Sequence, residues 1–274
     1  MHTIATPDPP RGSIAFDRAA EYYDRTRGFP PRVSEAVTDR IEQAASLEAR
    51  LLEIGVGTGR ISLPLHRRGR RIFGVDLSAP MLGRYRANAA AEGLPAPAVV
   101  RADAARLPFR DGAFGAVIEV HVLHLIPSWR QALAEVRRVL APGGVLVVSR
   151  RRSPRSEGTG PRGLARERHA AILTAMGVSH GPVGVRGDAE AIGAFAELGG
   201  RVDDLEPVAW QEDATWAEQL DVLERRVWSE SWRVPEAAWL QAVRRLRAEL
   251  EAEGVDLSAP LPAVRQVELA AVRF

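Results

Sequence analysis

Three glycines spaced two residues apart follow an apolar run in the first quarter of the chain. Gly55, Gly57 and Gly59 come after RLLEI, which is typical of a buried strand, and before RISLPLHRRG, which is typical of a helix. Glycine in a strand-to-helix turn lets the backbone turn sharply and lets a ligand approach the main chain. The spacing G-x-G-x-G differs from the G-x-G-x-x-G of pyrophosphate-binding loops. We therefore predict a ligand-binding turn that does not hold a dinucleotide pyrophosphate.

Acidic residues stand at the ends of the first three predicted strands. They are Glu53, Asp76 in RIFGVDLS and Asp103 in VVRADA. The carboxyl ends of parallel strands share the sheet edge at which ligands bind. Glu53 would repel a pyrophosphate and suit an ammonium group. Asp76 could accept both hydroxyls of a ribose, as it also would in a site for NAD, and Asp103 could accept an adenine amino group. A single such residue is usually only a turn former or helix cap.

Strand and helix patterns alternate regularly through the middle of the chain. Continuous Val, Ile and Leu runs favour strands buried on both faces, and the alternation predicts a doubly wound parallel sheet. The predicted strands are RLLEIGVG, RIFGVDLS, PAVVRADA, GAVIEVHVLHLI running into a loop, and GVLVVSRR; the predicted helices are GRISLPLHRRG, APMLGRYRANAAAEG and SWRQALAEVRRVLAPGG, the last ending at Gly143-Gly144.

Further elements flank this core on both sides. Residues up to about Ser13 are expected to be a loose tail. The remaining predicted elements are helices over Ile14–Arg27, Arg32–Leu47, Arg166–Met176, Asp188–Leu198, Thr215–Ser229 and Pro235–Glu253, and strands in VDDLEPVAW and VRQVELAAVRF. No linker is long enough to divide the chain. We predict a single domain over 1–274, with an N-terminal lid (14–47), a core (48–150) and a C-terminal cap (151–274).

Composition excludes several kinds of chemistry. The 274 residues include no cysteine, which removes disulfides, thiolate metal sites and cysteine nucleophiles. All 37 basic residues are arginine, so the pI is about 9.6 although the net charge is only +2. That balance does not predict the concentrated basic face that nucleic-acid binding needs. Without an apolar leader or a long apolar segment, a cytoplasmic protein is expected.

Four segments in order resemble the class I S-adenosylmethionine-dependent methyltransferases. They are LLEIGVGTGR, GVDLSAPML, RADAARLPF and EVRRVLAPGGVLVVS. The likeness covers about residues 14–150 and is greatest to the small-molecule group that includes ubiquinone- and menaquinone-biosynthesis methyltransferases. It implies a Rossmann-like α/β fold whose sheet has about seven strands, mostly parallel with the last antiparallel, plus helical cap elements. It also implies S-adenosyl-L-methionine as cofactor and S-adenosyl-L-homocysteine as product.

The resemblance also implies roles for individual residues. The Gly55–Gly59 loop would wrap the methionine part of the cofactor, and Asp76 would hold the ribose hydroxyls. The other implied contacts are Leu77 and Met81 with the adenine faces, Asp103 and Ala104 with the adenine edge, and Glu119 with the methionine ammonium group. AEYYDRTRGFP resembles the family's lid segment, so Tyr23 and Arg27 would reach the methionine end. A solvated helix with an aromatic staple is the alternative for those two.

Subtraction leaves a small-molecule acceptor with an oxygen, nitrogen or carbon nucleophile. No Asn-Pro-Pro-Tyr-type tetrapeptide, which enzymes that methylate amino groups of nucleobases and glutamine use, follows the fourth strand. Without cysteine the thiolate mechanism of cytosine C5 methylation is impossible, and without lysine so is the Lys–Asp–Lys–Glu arrangement of ribose methylation. No acidic cluster suggests a metal site. His121 and His124 could take a proton from the acceptor. Each could equally be a packed histidine capping the strand, since alignment alone can suffice for so activated a methyl donor.

The C-terminal third leaves two choices open. Its five tryptophans are either core or the lining of an apolar acceptor pocket. The arginines of 150–168 either hold an anionic substrate or form a solvated loop. Two other functions are weighed: an NAD(P)-dependent oxidoreductase, disfavoured by the glycine spacing, and a non-catalytic S-adenosylmethionine-binding module, disfavoured by the intact acidic set.

Overall fold

The structure, a computed structural model, describes residues 13–150 and 160–274. They form two compact units that interleave along the chain. The first contains the described residues up to Arg150 together with Val183–Glu206 and Glu268–Phe274. The second contains the described residues between these segments, up to Pro182 and over Pro207–Val267. The division into lid, core and cap remains a prediction, and the predicted loose tail lies outside the described residues.

The strands bear out the predicted sheet. They are β1 (Leu51–Ile54), β2 (Ile72–Asp76), β3 (Ala98–Arg101), β4 (Phe114–Glu119), β5 (Leu140–Ser149), β6 (Arg201–Asp204), β7 (Val208–Ala214), β8 (Leu261–Val267) and β9 (Leu269–Arg273). The first unit holds a seven-stranded sheet of order β3-β2-β1-β4-β5-β9-β6. Strand β9 runs antiparallel to the other six strands of this sheet. The strand order reverses between β1 and β4, which is where open α/β sheets bind ligands.

The helices are amphipathic segments that cover the sheet of the first unit or build the second. They are α1 (Tyr23–Arg27), α2 (Pro31–Ala44), α3 (Ser62–Arg67), α4 (Ala79–Ala91), α5 (Trp129–Val139), α6 (Pro161–Ala175), α7 (Asp188–Glu197), α8 (Trp216–Glu224) and α9 (Glu236–Ala252). Proline lies in the first turn of α2, α4 and α6, where a backbone N–H would have no intrahelical partner and its absence costs no hydrogen bond. Ser78 caps α4 by accepting the Met81 N–H.

Register brings the ends of the central strands together. Ile54 at the end of β1 pairs with Val75 of β2 and with Glu119 of β4. Because β2 ends one residue later, at Asp76, the turns that follow these three strands all lie at the same edge. Apolar side chains between the sheet and α5 form the main core of the unit.

Two predicted helices of the first unit end or begin elsewhere than expected. The helix predicted to reach Gly143-Gly144 ends at Val139, because Pro142 cannot continue it and Leu140 is already extended against Phe114. The helix predicted over Ile14–Arg27 is a 3-10 turn at Asp17–Ala19 followed by the short α1. Ala19 and Ala20 are buried, so packing sets this segment more than its helical pattern does.

Two predicted strands each divide in two. VDDLEPVAW becomes β6 and β7, separated around Pro207, whose missing N–H removes a donor. VRQVELAAVRF becomes β8 and β9, separated at Glu268. In each case the two strands belong to different sheets: β6 and β9 are in the seven-stranded sheet, whereas β7 and β8 pair with each other.

The second unit is a helical core with this two-stranded sheet. Helices α6, α8 and α9 enclose a cluster of buried apolar residues that includes Trp216 and Trp239. The Trp239 indole N–H donates to the Leu223 carbonyl at 2.7 Å. These tryptophans therefore serve as core, the first of the two alternatives. Over the described ranges, no helix of either unit is both long and apolar enough to cross a membrane.

Candidate functional site

A cavity opens at the edge where β1, β2 and β4 end, at the reversal of strand order. The empty space within its walls is about 710 Å³, part of which is open to solvent. Its walls come from the turn after β1, the end of β2, the segment after β3, the loop after β4 and the segment before α1. The lining residues are Ser13, Ile14, Phe16, Tyr23, Gly55, Gly57, Val75, Asp76, Leu77, Met81, Ala102, Asp103, Ala104, Val120, His121, Val122, Leu125 and Ile126.

The glycine loop, residues 55–59, contributes Gly55 and Gly57 to one wall of the cavity. Gly55 and Gly57 have φ of +65° and +56°, in the left-handed region that other residues seldom adopt. A Cβ at Gly55 would collide with the side chain of Val122 on the opposite wall. Gly59 has another role: a Cβ there would meet the ring of Tyr85 on α4, so this glycine permits helix packing.

Asp76 connects the glycine loop to the start of α4. Its Oδ2 accepts the Gly57 N–H at 2.9 Å, and its Oδ1 accepts the Ser78 N–H at 2.8 Å. Burial raises the pKa of Asp76 above its usual value, although these two N–H donors oppose the shift. A positively charged ligand in the cavity would favour the ionised carboxylate. Each carboxylate oxygen keeps a second lone pair that a ligand hydroxyl could use.

Glu53 lies behind the glycine loop and is fully buried. The Ser62 hydroxyl donates to its Oε2, and the nearby Arg60 guanidinium also favours its charged form. Burial outweighs both and raises the pKa of Glu53 from 4.5 to about 8. A carboxyl group with this pKa is largely protonated at neutral pH.

The loop after β4, residues 120–126, is held by two polar side chains. His121 adopts φ +62°, an uncommon conformation for a non-glycine residue, and its backbone N–H donates to Ser149 Oγ at 2.8 Å. Glu119 Oε1 accepts the backbone N–H groups of Val122 and Leu123. These contacts fix the loop so that His121 and Val122 line the cavity.

The charge of the cavity is one-sided. Among the described lining residues the charged side chains are Asp76 and Asp103, and none is an arginine. Asp103 Oδ1 accepts the Ala105 N–H at 3.0 Å, which holds the turn after β3. The remaining lining is mostly apolar, as Leu77 and Met81 illustrate. Such a cavity favours a ligand with a positive charge and an apolar ring, and it disfavours a pyrophosphate.

The structure brings together nine of the residues predicted for the site. They are Tyr23, Gly55, Gly57, Asp76, Leu77, Met81, Asp103, Ala104 and His121.

Five others lie outside the lining. Glu53 and Glu119 are buried: Glu53 accepts the hydroxyl of Ser62 on α3, and Glu119 accepts N–H groups of the loop after β4. Gly59 packs against α4. The Arg27 carbonyl accepts an N–H of Arg60. The His124 carbonyl accepts the Gly184 N–H. Direct cofactor or catalytic roles for these five remain predictions.

Several residues that shape the site were not predicted. Leu125, Ile126, Ile14 and Phe16 add an apolar wall. For Leu125 and Ile126 the signal was available, since the apolar run after β4 continues past the end of the strand. Ser149 gave none, because its contact with the β4 loop depends on the sheet order.

Three of the described arginines of the predicted 150–168 loop contact carboxylates, and a fourth, Arg162, lies over the ring of Trp228. In the first unit, Arg150 contacts Asp188 at 2.9 Å. In the second, Arg166 contacts Glu230 at 2.8 Å, and Arg168 lies on α6 and pairs with acidic residues of α9. Residues 151–159 lie outside the described residues. Within residues 13–150 and 160–274, no group of three or more His, Asp or Glu side chains could hold a metal ion.

Comparison with known proteins addresses the segment that carries this site. Residues 52–148 match the family of methyltransferase domains. The resemblance predicted from the sequence is confirmed. The matched segment runs from β1 to β5 and contains the glycine loop, Asp76, Asp103 and the β4 loop.

Curated relatives are similar to part of the chain. The demethylmenaquinone methyltransferase of Thermus thermophilus is 44% identical over 101 residues, covering 36% of this chain and 46% of the relative. The malonyl-[acyl-carrier protein] O-methyltransferase of Halorhodospira halophila is 34% identical over 135 residues, covering 48% and 45%. The chain thus spans about half the length of these relatives.

A solved structure extends the likeness to more of the chain. The YcgJ protein of Bacillus subtilis superposes with a TM-score of 0.58 at 19% identity, covering 88% of this chain and 97% of that one. At this identity the likeness shows the fold alone. The predicted Rossmann-like sheet, mostly parallel with one antiparallel strand, is therefore confirmed.

Proposed function

We propose that this protein is an S-adenosyl-L-methionine-dependent methyltransferase that acts on a small-molecule acceptor. The observation that carries the proposal is the cavity itself. It lies between a glycine loop and Asp76, and its described lining has two carboxyl groups and no arginine. The methyltransferase domain match over residues 52–148 supports the same cofactor.

The lining residues fit this cofactor chemically. Asp76 has the acceptor capacity for the two ribose hydroxyls, and Asp103 can accept an adenine amino group. Leu77 and Met81 offer apolar surface to the faces of a purine ring. Gly57, with φ +56°, lines the cavity with its main chain and lets a ligand approach the backbone there. The acidic, arginine-free lining suits a sulfonium and an ammonium group.

Chemistry in the site would depend mainly on alignment. S-adenosylmethionine supplies an activated methyl group, and holding the acceptor in line with it can provide most of the rate enhancement. His121 is the candidate base, since it lines the cavity in a fixed backbone conformation. Its role would be to take a proton from an acceptor hydroxyl or amine. The apolar wall of Phe16, Leu125 and Ile126 would face the acceptor.

The acceptor is proposed as a small molecule with an oxygen, nitrogen or carbon nucleophile. The two relatives compared carry names that specify a quinone precursor and a carrier-bound malonyl group. Neither name transfers to this chain, because each match covers less than half of this chain and less than half of the relative. No nucleic acid is proposed as acceptor.

An NAD(P)-dependent oxidoreductase is the second candidate for such a fold. The arginine-free lining disfavours it, because a dinucleotide would place two phosphates beside Asp76 and Asp103. A non-catalytic S-adenosylmethionine-binding module has the same cavity and differs only in turnover.

The test is methyl transfer from S-adenosylmethionine carrying a labelled methyl group, with a panel of phenolic, amine, carboxylate and quinol acceptors. We expect labelled product and S-adenosylhomocysteine with at least one acceptor. Asp76→Ala should reduce turnover at subsaturating cofactor at least ~10-fold, since each hydrogen bond to a charged group contributes about 1.5–3 kcal/mol. Asp111→Ala, which removes an exposed carboxylate paired with Arg138, is the matched control.

Binding of S-adenosylhomocysteine without turnover on any acceptor would favour the non-catalytic module. Hydride transfer with NAD(P) would overturn the proposal.

A further inference from the structure

The short helix α1 presents two consecutive residues to different surroundings. Tyr23 lines the cavity, whereas the side chain of Asp24 contacts the glycine loop and α4. Successive residues of a helix point about 100° apart, so one residue of a turn can line the cavity while the next binds a neighbouring element.

Asp24 accepts hydrogen bonds from three side chains. Thr58 Oγ1 donates to its Oδ1 at 2.5 Å, and Asn88 Nδ2 donates to its Oδ2 at 3.1 Å. Arg84 Nε lies 3.4 Å from the same Oδ2. Bonds to an ionised acceptor are stronger than those between neutral groups. The carboxylate is about one-third exposed, with 36% of its side chain accessible.

Thr58 makes this contact a direct connection to the ligand-binding loop. It is buried between Gly57 and Gly59, and its carbonyl accepts a second hydrogen bond from Asn88 at 3.2 Å. Its neighbour Gly57 donates to Asp76. A continuous run of hydrogen bonds and chain therefore joins Asp76 in the cavity to α1.

A second contact holds the far end of α1. Arg60 donates to the Arg27 carbonyl at 3.2 Å and lies 4.6 Å from the centre of the Phe29 ring. A helix of five residues does not persist in water by itself, so tertiary contacts must hold it. The glycine loop and its following turn supply both contacts described here.

We propose that Asp24 is a positioning residue that couples the Tyr23 wall of the cavity to the glycine loop. Occupation of the loop by a ligand and ordering of α1 then favour each other. The proposal rests on the proposed function only for the identity of the ligand. The alternative is that Asp24 is a surface carboxylate whose contacts contribute little to stability, as is true of many exposed ion pairs.

Amide hydrogen exchange of the unliganded protein tests the attachment. The reporters are the N–H groups of Thr26 and Gly28, which donate to the carbonyls of Tyr22 and Asp24 within α1. Asp24→Ala and Thr58→Val, the second of which removes only the donor hydroxyl, should each speed exchange there at least ~10-fold. The matched control is Asp39→Ala, since Asp39 is an exposed carboxylate of α2 that pairs with an arginine. It should leave exchange in α1 unchanged.

A double-mutant cycle with S-adenosylhomocysteine tests the coupling to the cavity. Each single variant should weaken binding by about 5–20-fold, and the double variant should be no weaker than the worse single one, because both remove one interaction. Asp24→Asn, which keeps an acceptor for Thr58, should recover part of the affinity. Thermal midpoints measured alongside should stay close to wild type.

Three results would overturn the proposal: wild-type exchange at the two reporters in Asp24→Ala, wild-type affinity in that variant, or strictly additive losses. Failure of the proposed function is distinguishable. It would appear as no binding of S-adenosylhomocysteine to the wild-type protein, while the exchange experiment would still decide whether Asp24 holds α1.

Discussion

Replacing Glu53 by glutamine should make the unfolding free energy of the protein less dependent on pH. In the folded protein burial raises the pKa of Glu53 to about 8, whereas in the unfolded chain it should lie near the usual 4.5. Between these values the folded state keeps a proton that the unfolded state releases. The wild-type protein therefore loses stability as pH rises through this interval, and the loss remains above it.

The size of the effect follows from the shift. A rise from 4.5 to about 8 corresponds to at most about 5 kcal/mol of unfolding free energy, at about 1.4 kcal/mol per unit. Relaxation around the ionised group, including approach of Arg60, reduces this, so we expect a change of a few kcal/mol. Glutamine keeps an acceptor for the Ser62 hydroxyl and carries no ionisable proton.

The assay is urea unfolding of wild type and Glu53→Gln at a series of pH values between about 5 and about 9. The free-energy difference, variant minus wild type, should grow with pH. Glu135→Gln is the control, because Arg138 lowers the pKa of Glu135 and its titration lies below this range. Parallel pH profiles for wild type and Glu53→Gln would refute the reasoning, since they would mean that Glu53 ionises alike in both states.

Three further substitutions test other parts of the structure. Gly55→Ala should lower the thermal midpoint and weaken ligand binding, because alanine at φ +65° costs about 1–2 kcal/mol before any collision; an unchanged midpoint would contradict the loop geometry. Ser149→Ala removes the acceptor of the His121 N–H and should reduce ligand affinity more than it reduces stability, as titration and melting will show. Trp239→Phe should destabilise the second unit by about 1–3 kcal/mol in urea unfolding, since the Leu223 carbonyl loses its indole donor; equal stability would mean that water replaces that donor.

The site could be predicted where its residues follow from strand ends. Gly57 follows β1 and Asp76 ends the neighbouring parallel strand β2, so sheet register brings them together, and the structure places a hydrogen bond between them. Asp103 and His121 line the same cavity for the same reason. Local sequence sufficed here because every parallel strand delivers its next residues to one edge.

The rest depended on packing that no local pattern specifies. Glu53 and Glu119 are both buried, one bonded to Ser62 of α3 and the other to the loop after β4, and their predicted proximity to a ligand remains a prediction. Both carboxyl groups are buried because Glu53 and Glu119 occupy buried positions of the central strands β1 and β4. The breaks at Pro207 and Glu268 were missed because apolar residues occur on both sides of each break, while the chain passes from one sheet to another.

Calorimetric titration of the purified protein with S-adenosylhomocysteine and with NAD tests the cofactor assignment most directly. The arginine-free cavity with Asp76 at its edge predicts micromolar-range binding of S-adenosylhomocysteine, a loss of at least ~10-fold in Asp76→Ala, and no binding of NAD. Binding of NAD, with none of S-adenosylhomocysteine, would contradict the assignment and favour the oxidoreductase.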